Sequence, residues 1–250
     1  MKKFTLLCFS IVVFGCLSAQ TIATDRPSSQ TDNSSTVPKH CFQMESGILG
    51  EAPGIIPELR YYLLPTALIR FGLSDRIELR IMENFEKNNY SFNDEMGFSD
   101  LQIGTKIQLF KKESSKTELA FLLHTTIPIG SAGVSGNQYR ALYKLVGSCK
   151  LSDKYSLGYT IGFSHGEITP VQIPLSLLVS RSMGDKFSAF AEVYGEYVQS
   201  FYSINADAGL SYLITDDLQA DLYFGSGINS SMKFWSVGFS WRIPKKSKDD

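Results

Sequence analysis

Residues 100–109 read DLQIGTKIQL and alternate between polar and apolar side chains. One face of this stretch carries Asp100, Gln102, Gly104, Lys106 and Gln108, and the other carries Leu101, Ile103, Thr105, Ile107 and Leu109. A period of two is typical of a β-strand whose two faces meet different environments. The stretches 171–180 and 202–214 alternate in the same way. The pattern therefore predicts a β-protein.

The same alternation recurs along the chain and predicts twelve strands. They are expected at 41–50, 57–73, 76–83, 99–110, 117–128, 138–151, 154–165, 171–183, 186–198, 202–214, 217–228 and 232–243. Most reach the roughly 9–11 residues that a tilted strand needs to cross a bilayer, whereas strands of soluble proteins cluster near ~5–6 residues. We therefore predict an all-β fold, an antiparallel transmembrane β-barrel over residues 41–243.

The connections between the predicted strands alternate in character. GLSDRIELR at 72–80 contains a short turn around Asp75, and similar turns recur around three further aspartates: Asp153, Asp185 and Asp216. Aspartate favours tight turns because its carboxylate can bond to the nearby backbone. The connections of opposite parity, such as 84–98 and 129–137, are more varied and usually longer. Short turns at one rim and longer loops at the other are typical of bacterial outer-membrane barrels.

The two ends of the chain predict segments outside the barrel. Residues 1–19 have two lysines, an apolar run and small residues before a cut after Ala19, which predicts a signal peptide; a lipoprotein cut before Cys16 is the alternative. Residues 20–40 are polar and lack a strand pattern, which predicts either a plug, anchored by Asp25 and Arg26, or a flexible leader. Residues 244–250 form a charged tail.

Composition and motifs exclude several other classes. Lys+Arg is 24 and Asp+Glu is 25, so the charge of −1 provides no basic face for nucleic acid. The sequence has no paired-cysteine or HExxH spacing, and we expect no metal, no cofactor and two unpaired thiols at Cys41 and Cys149. Some twelve-stranded barrels are lipid hydrolases. Here His124 is expected inside, His165 in a loop and His40 before the first strand, so we expect no enzyme.

Strand parity also predicts which charged residues face the barrel interior. The candidates are Glu45, Glu58, Arg60, Arg70, Glu78, Arg80, Asp100, Lys106, Glu118, His124, Arg140, Lys144, Glu192, Glu196, Asp207 and Asp221. Basic residues concentrate on the second to sixth strands and acidic residues on the first and the ninth to eleventh. Two interpretations remain open: opposed basic and acidic walls that orient dipolar solutes, or charges that pair across the interior as a structural plug. A twelve-stranded barrel is compatible with an open or a plugged pore.

The segment 25–47, DRPSSQTDNSSTVPKHCFQMESG, resembles the opening of an outer-membrane family of transporters named for the MetA pathway of phenol degradation. The matching residues are Asp25, Arg26, Pro27, Val37, Pro38, Lys39, Phe42, Gln43, Glu45 and Gly47. The stretches 68–80 and 97–106 are also similar. Unlike many outer-membrane barrels, the chain continues beyond Trp241 with RIPKKSKDD, so the insertion signal is expected around Phe239 or Trp241. The resemblance implies an outer-membrane barrel with a transport role and leaves the substrate open.

Together these observations predict a bacterial outer-membrane barrel that passes small molecules, with aromatic or hydrophobic cargo suggested by the resemblance alone. The expected partners are outer-membrane lipid, small solutes and the outer-membrane insertion machinery. Two alternatives remain at this level. One is a structural or adhesive barrel without transport, and the other is a soluble secreted β-protein.

Overall fold

The structure is a computed structural model that describes residues 21–26, 30–52, 60–89, 94–111 and 116–243. The predicted signal peptide, the C-terminal tail and Glu58 lie outside these residues. The described strands are β1 (Phe42–Ala52), β2 (Arg60–Ser74), β3 (Ile77–Asn89), β4 (Asp94–Phe98), β5 (Leu101–Lys111), β6 (Thr117–Ile127), β7 (Arg140–Lys150), β8 (Tyr155–Gly166), β9 (Gln172–Met183), β10 (Phe187–Val198), β11 (Phe201–Thr215), β12 (Leu218–Gly227) and β13 (Lys233–Ile243).

Twelve of these strands form a closed antiparallel barrel. Each pairs with its neighbours in chain order, except that β3 pairs directly with β5, and β1 pairs with both β2 and β13 to close the ring. The short strand β4 only extends the outer end of β3. The predicted barrel is confirmed. Closure matters because an open strand edge would leave unpaired backbone groups in lipid.

The outward face of the barrel is apolar in the middle of the strands. Exposed outward residues include Ile81, Ile103, Ile161, Leu177, Val193, Leu210, Leu222 and Val237. Aromatic pairs flank this band on neighbouring strands: the rings of Phe187 and Tyr212 are 4.6 Å apart near one rim, and those of Tyr197 and Tyr202 are 6.4 Å apart near the other. An apolar band between two aromatic girdles is the surface of a barrel that sits in a bilayer. The protein spans the outer membrane through this band.

The two rims differ as the sequence predicts. The aspartates Asp75, Asp185 and Asp216 lie in tight turns, and Asp153 lies in the bend between β7 and β8. We call this end the periplasmic rim, since short turns occur on that side of such barrels. The opposite rim carries the longer connections and β4, although β10 and β11 are joined there by only Gln199 and Ser200. Among the described residues, no helix is long and apolar enough to cross a membrane.

One irregularity in β2 changes the expected facing of its outer end. The pairing of β2 with β3 shifts register between Leu63 and Thr66, so one extra residue enters β2 at this bulge. The extra residue reverses which side chains of the outer end of β2 point inward. Without the bulge Arg60 would face the interior, but in the structure it is exposed. The prediction for Arg60 is wrong for this reason.

Candidate functional site

The barrel interior holds a cluster of three basic side chains near the periplasmic rim, which we call the basic cluster: Arg70 on β2, Arg80 on β3 and Lys106 on β5. These residues share one level because register pairs Arg70 with Arg80, and Glu78 with Lys106, on adjacent strands. All three side chains are almost completely buried. Buried cations require partners, so the acids around them decide what the interior can do.

Two carboxylates from the barrel wall contact the basic cluster. Arg70 donates to Glu45 at 2.7 Å and to both oxygens of Glu78 at 2.9 Å. Arg80 also donates to Glu78, at 2.9 Å. Paired donation from one guanidinium to one carboxylate fixes both groups in orientation as well as in distance. These contacts join β1, β2 and β3 on their inner faces.

Arg80 makes a further contact with His124 on β6. Its Nε donates to His124 Nε2 at 2.9 Å, so this ring nitrogen acts as an acceptor. Gly104 leaves room for the ring, because a Cβ there would overlap His124 Cδ2. His124 therefore supports the position of Arg80, in keeping with the inward orientation that parity predicts.

Residues 21–26 and 30–40, which we call the N-terminal segment, lie inside the barrel. The segment begins at the periplasmic rim, where Ile22 N donates to Asp216 O at 3.0 Å. It rises to the middle of the barrel and returns to the same rim, where Thr36 Oγ1 donates to Asp75 O and His40 N donates to Gly72 O. Glycine is needed at 72 because a Cβ would overlap the Pro38 carbonyl oxygen.

The N-terminal segment completes the basic cluster with Asp25. One oxygen of this carboxylate accepts from Lys106 at 2.9 Å, and the other accepts from Arg80 at 2.6 Å. Arg70 NH1 lies 3.8 Å away, and the backbone N of Asn33 donates at 2.8 Å. Burial opposes ionisation, but Arg70, Lys106 and Arg80 hold the pKa of the Asp25 carboxyl well below its usual range.

Arg26, the next residue, contacts the opposite wall. Its guanidinium donates to Asp221 on β12 at 2.8 and 3.2 Å and to Ser236 Oγ at 3.0 Å. The Arg26 side chain passes over two glycines, Gly47 and Gly238, where a Cβ would come within 2.9 Å of the guanidinium. Asp25 contacts the basic cluster and Arg26 contacts Asp221. Two adjacent residues of opposite charge in the N-terminal segment therefore connect the basic and acidic sides of the barrel.

Further polar contacts distribute the N-terminal segment around the barrel. Asp32 accepts from Lys144 on β7 at 2.8 Å, and Thr31 Oγ1 lies 2.6 Å from both Ser176 Oγ on β9 and a Glu192 oxygen on β10. Ser35 donates to Glu118 on β6 at 2.9 Å. The acids of the segment thus contact basic wall residues, and its arginine contacts an acidic one.

A cavity of about 1110 Å³ lies between the N-terminal segment and the wall formed by β7–β11, beside the periplasmic rim. We call this cavity the vestibule. Its lining includes the serines Ser148, Ser156, Ser180, Ser182, Ser188 and Ser211. Arg26 and Phe190 also line it. The Phe190 ring lies 6.4 Å from that of Tyr223, which lies 6.1 Å from that of Phe234. Serine hydroxyls and the Phe190 ring therefore face the same space, whereas Tyr223 and Phe234 are buried.

The remaining predicted interior residues occupy other places. Asp100 lies just before β5 and binds the 128–137 connection, accepting from Gly130 N, Ser135 Oγ and Gly136 N. Arg140 donates to Gln172 at 2.7 Å near the outer rim, Glu196 is half-buried on β10, and Asp207 is buried on β11.

His165 corrects one sequence expectation. It lies in β8 and not in a loop, and its ring stacks 6.2 Å from Tyr143 on the outward face. The two thiols, Cys41 and Cys149, form no disulfide, as predicted.

Sequence parity also missed contributors that the tertiary structure brings in. Asp32, Thr31 and Ser35 carry no strand pattern, and no local signal assigns their partners. Phe190 could have been found, because it shares the inward parity of Glu192 on the same strand.

Comparison with solved structures places this fold among outer-membrane channels. An outer-membrane channel from Pseudomonas putida F1 matches with a TM-score of 0.70 at 10% identity, over 86% of this chain and 100% of that one. The KdgM porin in complex with disordered oligogalacturonate matches with a TM-score of 0.58 at 12% identity, over 80% and 99%. The NanC porin gives 0.58 at 10% identity, over 80% and 100%.

A comparison with curated protein sequences gave no match. The family described as "Putative MetA-pathway of phenol degradation" matches residues 24–243, which include the N-terminal segment from Thr24 onward and all of the barrel strands. With the match extending over most of the sequence, the chain belongs to this family.

Proposed function

We propose that this protein passes small solutes across the outer membrane, and that the N-terminal segment gates their passage. The vestibule carries this proposal: it is a polar cavity inside a closed barrel, bounded on one side by a segment that belongs to no strand. Such a segment can move without unpairing the barrel. The channels and porins with similar folds support a transport role, and the protein acts without catalysing a reaction.

Aromatic cargo is the solute class that the interior favours. The Phe190 ring lines the vestibule and packs against the buried ring of Tyr223, which packs against Phe234 and lies 5.6 Å from the guanidinium of Arg26. The Phe190 ring can offer stacking and edge contacts to an aromatic solute. Serine hydroxyls across the vestibule provide hydrogen-bonding groups for a polar substituent such as a phenolic hydroxyl.

The gate can be tested with a reversible lock. Thr31→Cys and Ser176→Cys, in a background of Cys41→Ser and Cys149→Ser, place thiols where hydroxyl oxygens now lie 2.6 Å apart. A disulfide there would join the N-terminal segment to β9. In liposome-swelling assays with phenol-sized neutral solutes, we expect the oxidised protein to swell at the rate of protein-free liposomes and the reduced protein to swell faster.

A matched control has the same chemistry but does not involve the segment. Ser156→Cys and Ser180→Cys replace another pair of hydroxyls 2.6 Å apart, between β8 and β9 of the wall. Liposomes with this control protein are expected to swell at the same rate whether it is oxidised or reduced. If liposomes with the Thr31→Cys, Ser176→Cys protein swell equally fast when it is oxidised and when it is reduced, the gate is rejected. No swelling by folded, reduced protein would reject passage and favour a structural barrel.

A further inference from the structure

Among the described residues, the barrel wall leaves the basic cluster one negative charge short, and the N-terminal segment supplies that charge. Arg70, Arg80 and Lys106 supply three positive charges, and the wall carboxylates Glu45 and Glu78 supply two negative ones. The wall alone is therefore left with a net charge of +1 (3 − 2), and Asp25 brings it to zero. Asp32 also lies 3.6 Å from Arg80, but its charge is balanced by Lys144 at 2.8 Å. An uncompensated buried charge is strongly destabilising, so this position requires a monoanion.

Asp25 differs from Glu45 and Glu78 in how it is attached to the barrel. Glu45 lies in β1 and Glu78 in β3, so neither can leave without disrupting the barrel. Asp25 lies in the N-terminal segment, outside every strand. Replacing it by another anion breaks no strand pairing.

The geometry around Asp25 suits a carboxylate in particular. Arg80 donates to one oxygen of the planar group at 2.6 Å, and Lys106 donates to the other at 2.9 Å and to the Arg80-bound oxygen at 3.2 Å. Arg70 lies within 3.8 Å of the Arg80-bound oxygen. Donation to both oxygens of the group matches one carboxylate. A dianionic phosphate would exceed the single missing charge.

We infer that Arg70, Arg80 and Lys106 form a binding site for a small monocarboxylate solute, which Asp25 occupies in the closed state. This inference rests on the proposed gate and names the solute class that acts on it. A monocarboxylate that takes the place of Asp25 keeps the cluster neutral while the N-terminal segment is displaced. The solute therefore competes with the Asp25 carboxylate for the three cations of the basic cluster.

Equilibrium binding to the full, refolded chain in detergent tests the site without any transport readout. Benzoate is the probe and benzamide is its near-isosteric neutral control, both at constant ionic strength. We expect Asp25→Asn to bind benzoate about tenfold more tightly than the wild type, because the competing carboxylate is removed and a larger fraction of sites is vacant. Benzamide is expected not to distinguish the two proteins.

Two further variants separate charge from loosening of the segment. Asp25→Asn combined with Lys106→Met restores neutrality with two cations and two wall carboxylates, and it is expected to lose benzoate binding. Ser35→Ala removes the contact of the same segment with Glu118 while leaving Asp25 and every charge in place, and it is expected to bind benzoate nearly as the wild type does. An equal gain from Ser35→Ala, or equal binding of benzamide and benzoate, would overturn the site.

The wild-type chain provides a measurement that does not depend on any variant folding. The backbone N–H of Asn33 is bonded to Asp25 at 2.8 Å, so its hydrogen exchange reports whether Asp25 is in place. Benzoate should accelerate this exchange and benzamide should not; equal rates would contradict the inference. Liposome swelling tests passage separately, so benzoate binding without swelling would preserve the site and reject the channel.

Discussion

At the residue scale, Arg70 illustrates how a charge is accommodated inside a membrane barrel. Its side chain is completely buried and contacts Glu45, Glu78 and the carbonyl oxygens of Ala23 and Ser35. Two of these contacts come from the wall and two from the N-terminal segment. Arg70 therefore stabilises the barrel and holds the segment within it.

Loss of the Arg70 charge should be costly. Arg70→Met leaves Glu45 and Glu78 with fewer partners in a buried position, and breaking a buried pair costs about 3–5 kcal/mol. We expect a loss of this size in the free energy of unfolding, measured by urea titration of the refolded protein. Lys150→Met is the matched control, because Lys150 pairs with Asp153 on the exposed periplasmic rim. Similar losses for both variants would contradict the assignment.

Gly72 is a position at which the segment packs closely against the wall. A Cβ there would overlap the carbonyl oxygen of Pro38, and backbone atoms cannot rotate away. We expect Gly72→Ala to cost about 1–3 kcal/mol, the range for overpacking, and to accelerate hydrogen exchange at His40, whose N donates to Gly72 O. Gly136→Ala is the control, since a Cβ there would come no closer than 3.5 Å to its nearest neighbour, a side-chain oxygen of Asp100. Unchanged exchange at His40 would reject this role for Gly72.

At the element scale, β12 shows how alternation separates lipid from the interior. Leu222 faces outward and is half-exposed, whereas its neighbours Asp221 and Tyr223 are buried inside. Residue 222 lies at the centre of the strand, and Asp221 is in register with Ser211 on β11. The two faces therefore differ in polarity within one residue.

A lysine should be tolerated on one face of this strand pair and not on the other. Leu222→Lys places a charge in the middle of the apolar band, at a cost of about 2–4 kcal/mol. Ser211→Lys places the same charge beside the vestibule and opposite Asp221, and should cost much less. Urea unfolding in lipid vesicles measures both. Equal costs would mean that the assigned faces of β11 and β12 are wrong.

At the scale of the whole molecule, the closed ring leaves no barrel strand that can separate on its own. β13 pairs with both β12 and β1, and it carries both tryptophans, Trp235 and Trp241. Loss of one barrel strand would expose unpaired backbone groups on two neighbours. Unfolding is therefore expected to be cooperative.

Cooperative unfolding can be checked with two probes that report on different parts of the barrel. Tryptophan fluorescence follows β13, and far-ultraviolet circular dichroism follows all of the strands. We expect their urea transitions to coincide, which is the standard test of two-state behaviour. A fluorescence transition at lower urea would show that β13 detaches first and would contradict the cooperative ring.

The sequence by itself determined the barrel and most of its strand boundaries. Alternation with a period of two is a local property, and an apolar face in lipid imposes it on every strand. The same parity predicted that Arg70, Glu78 and Lys106 point inward. It failed at Arg60, because the extra residue at the Leu63–Thr66 bulge reverses the two faces and leaves no clear local signal.

Only the tertiary structure decided how the interior charges are paired. The partners of Asp25 on β2, β3 and β5 lie 45 to 81 residues away in sequence, and the partner of Arg26 on β12 lies 195 residues away. Residues 20–40 have no periodicity, so sequence could not choose between a plug and a leader. Ring closure brings the basic and acidic walls close enough for a single segment to contact both. The reason is geometric: pairing across a lumen depends on the curvature of the whole sheet.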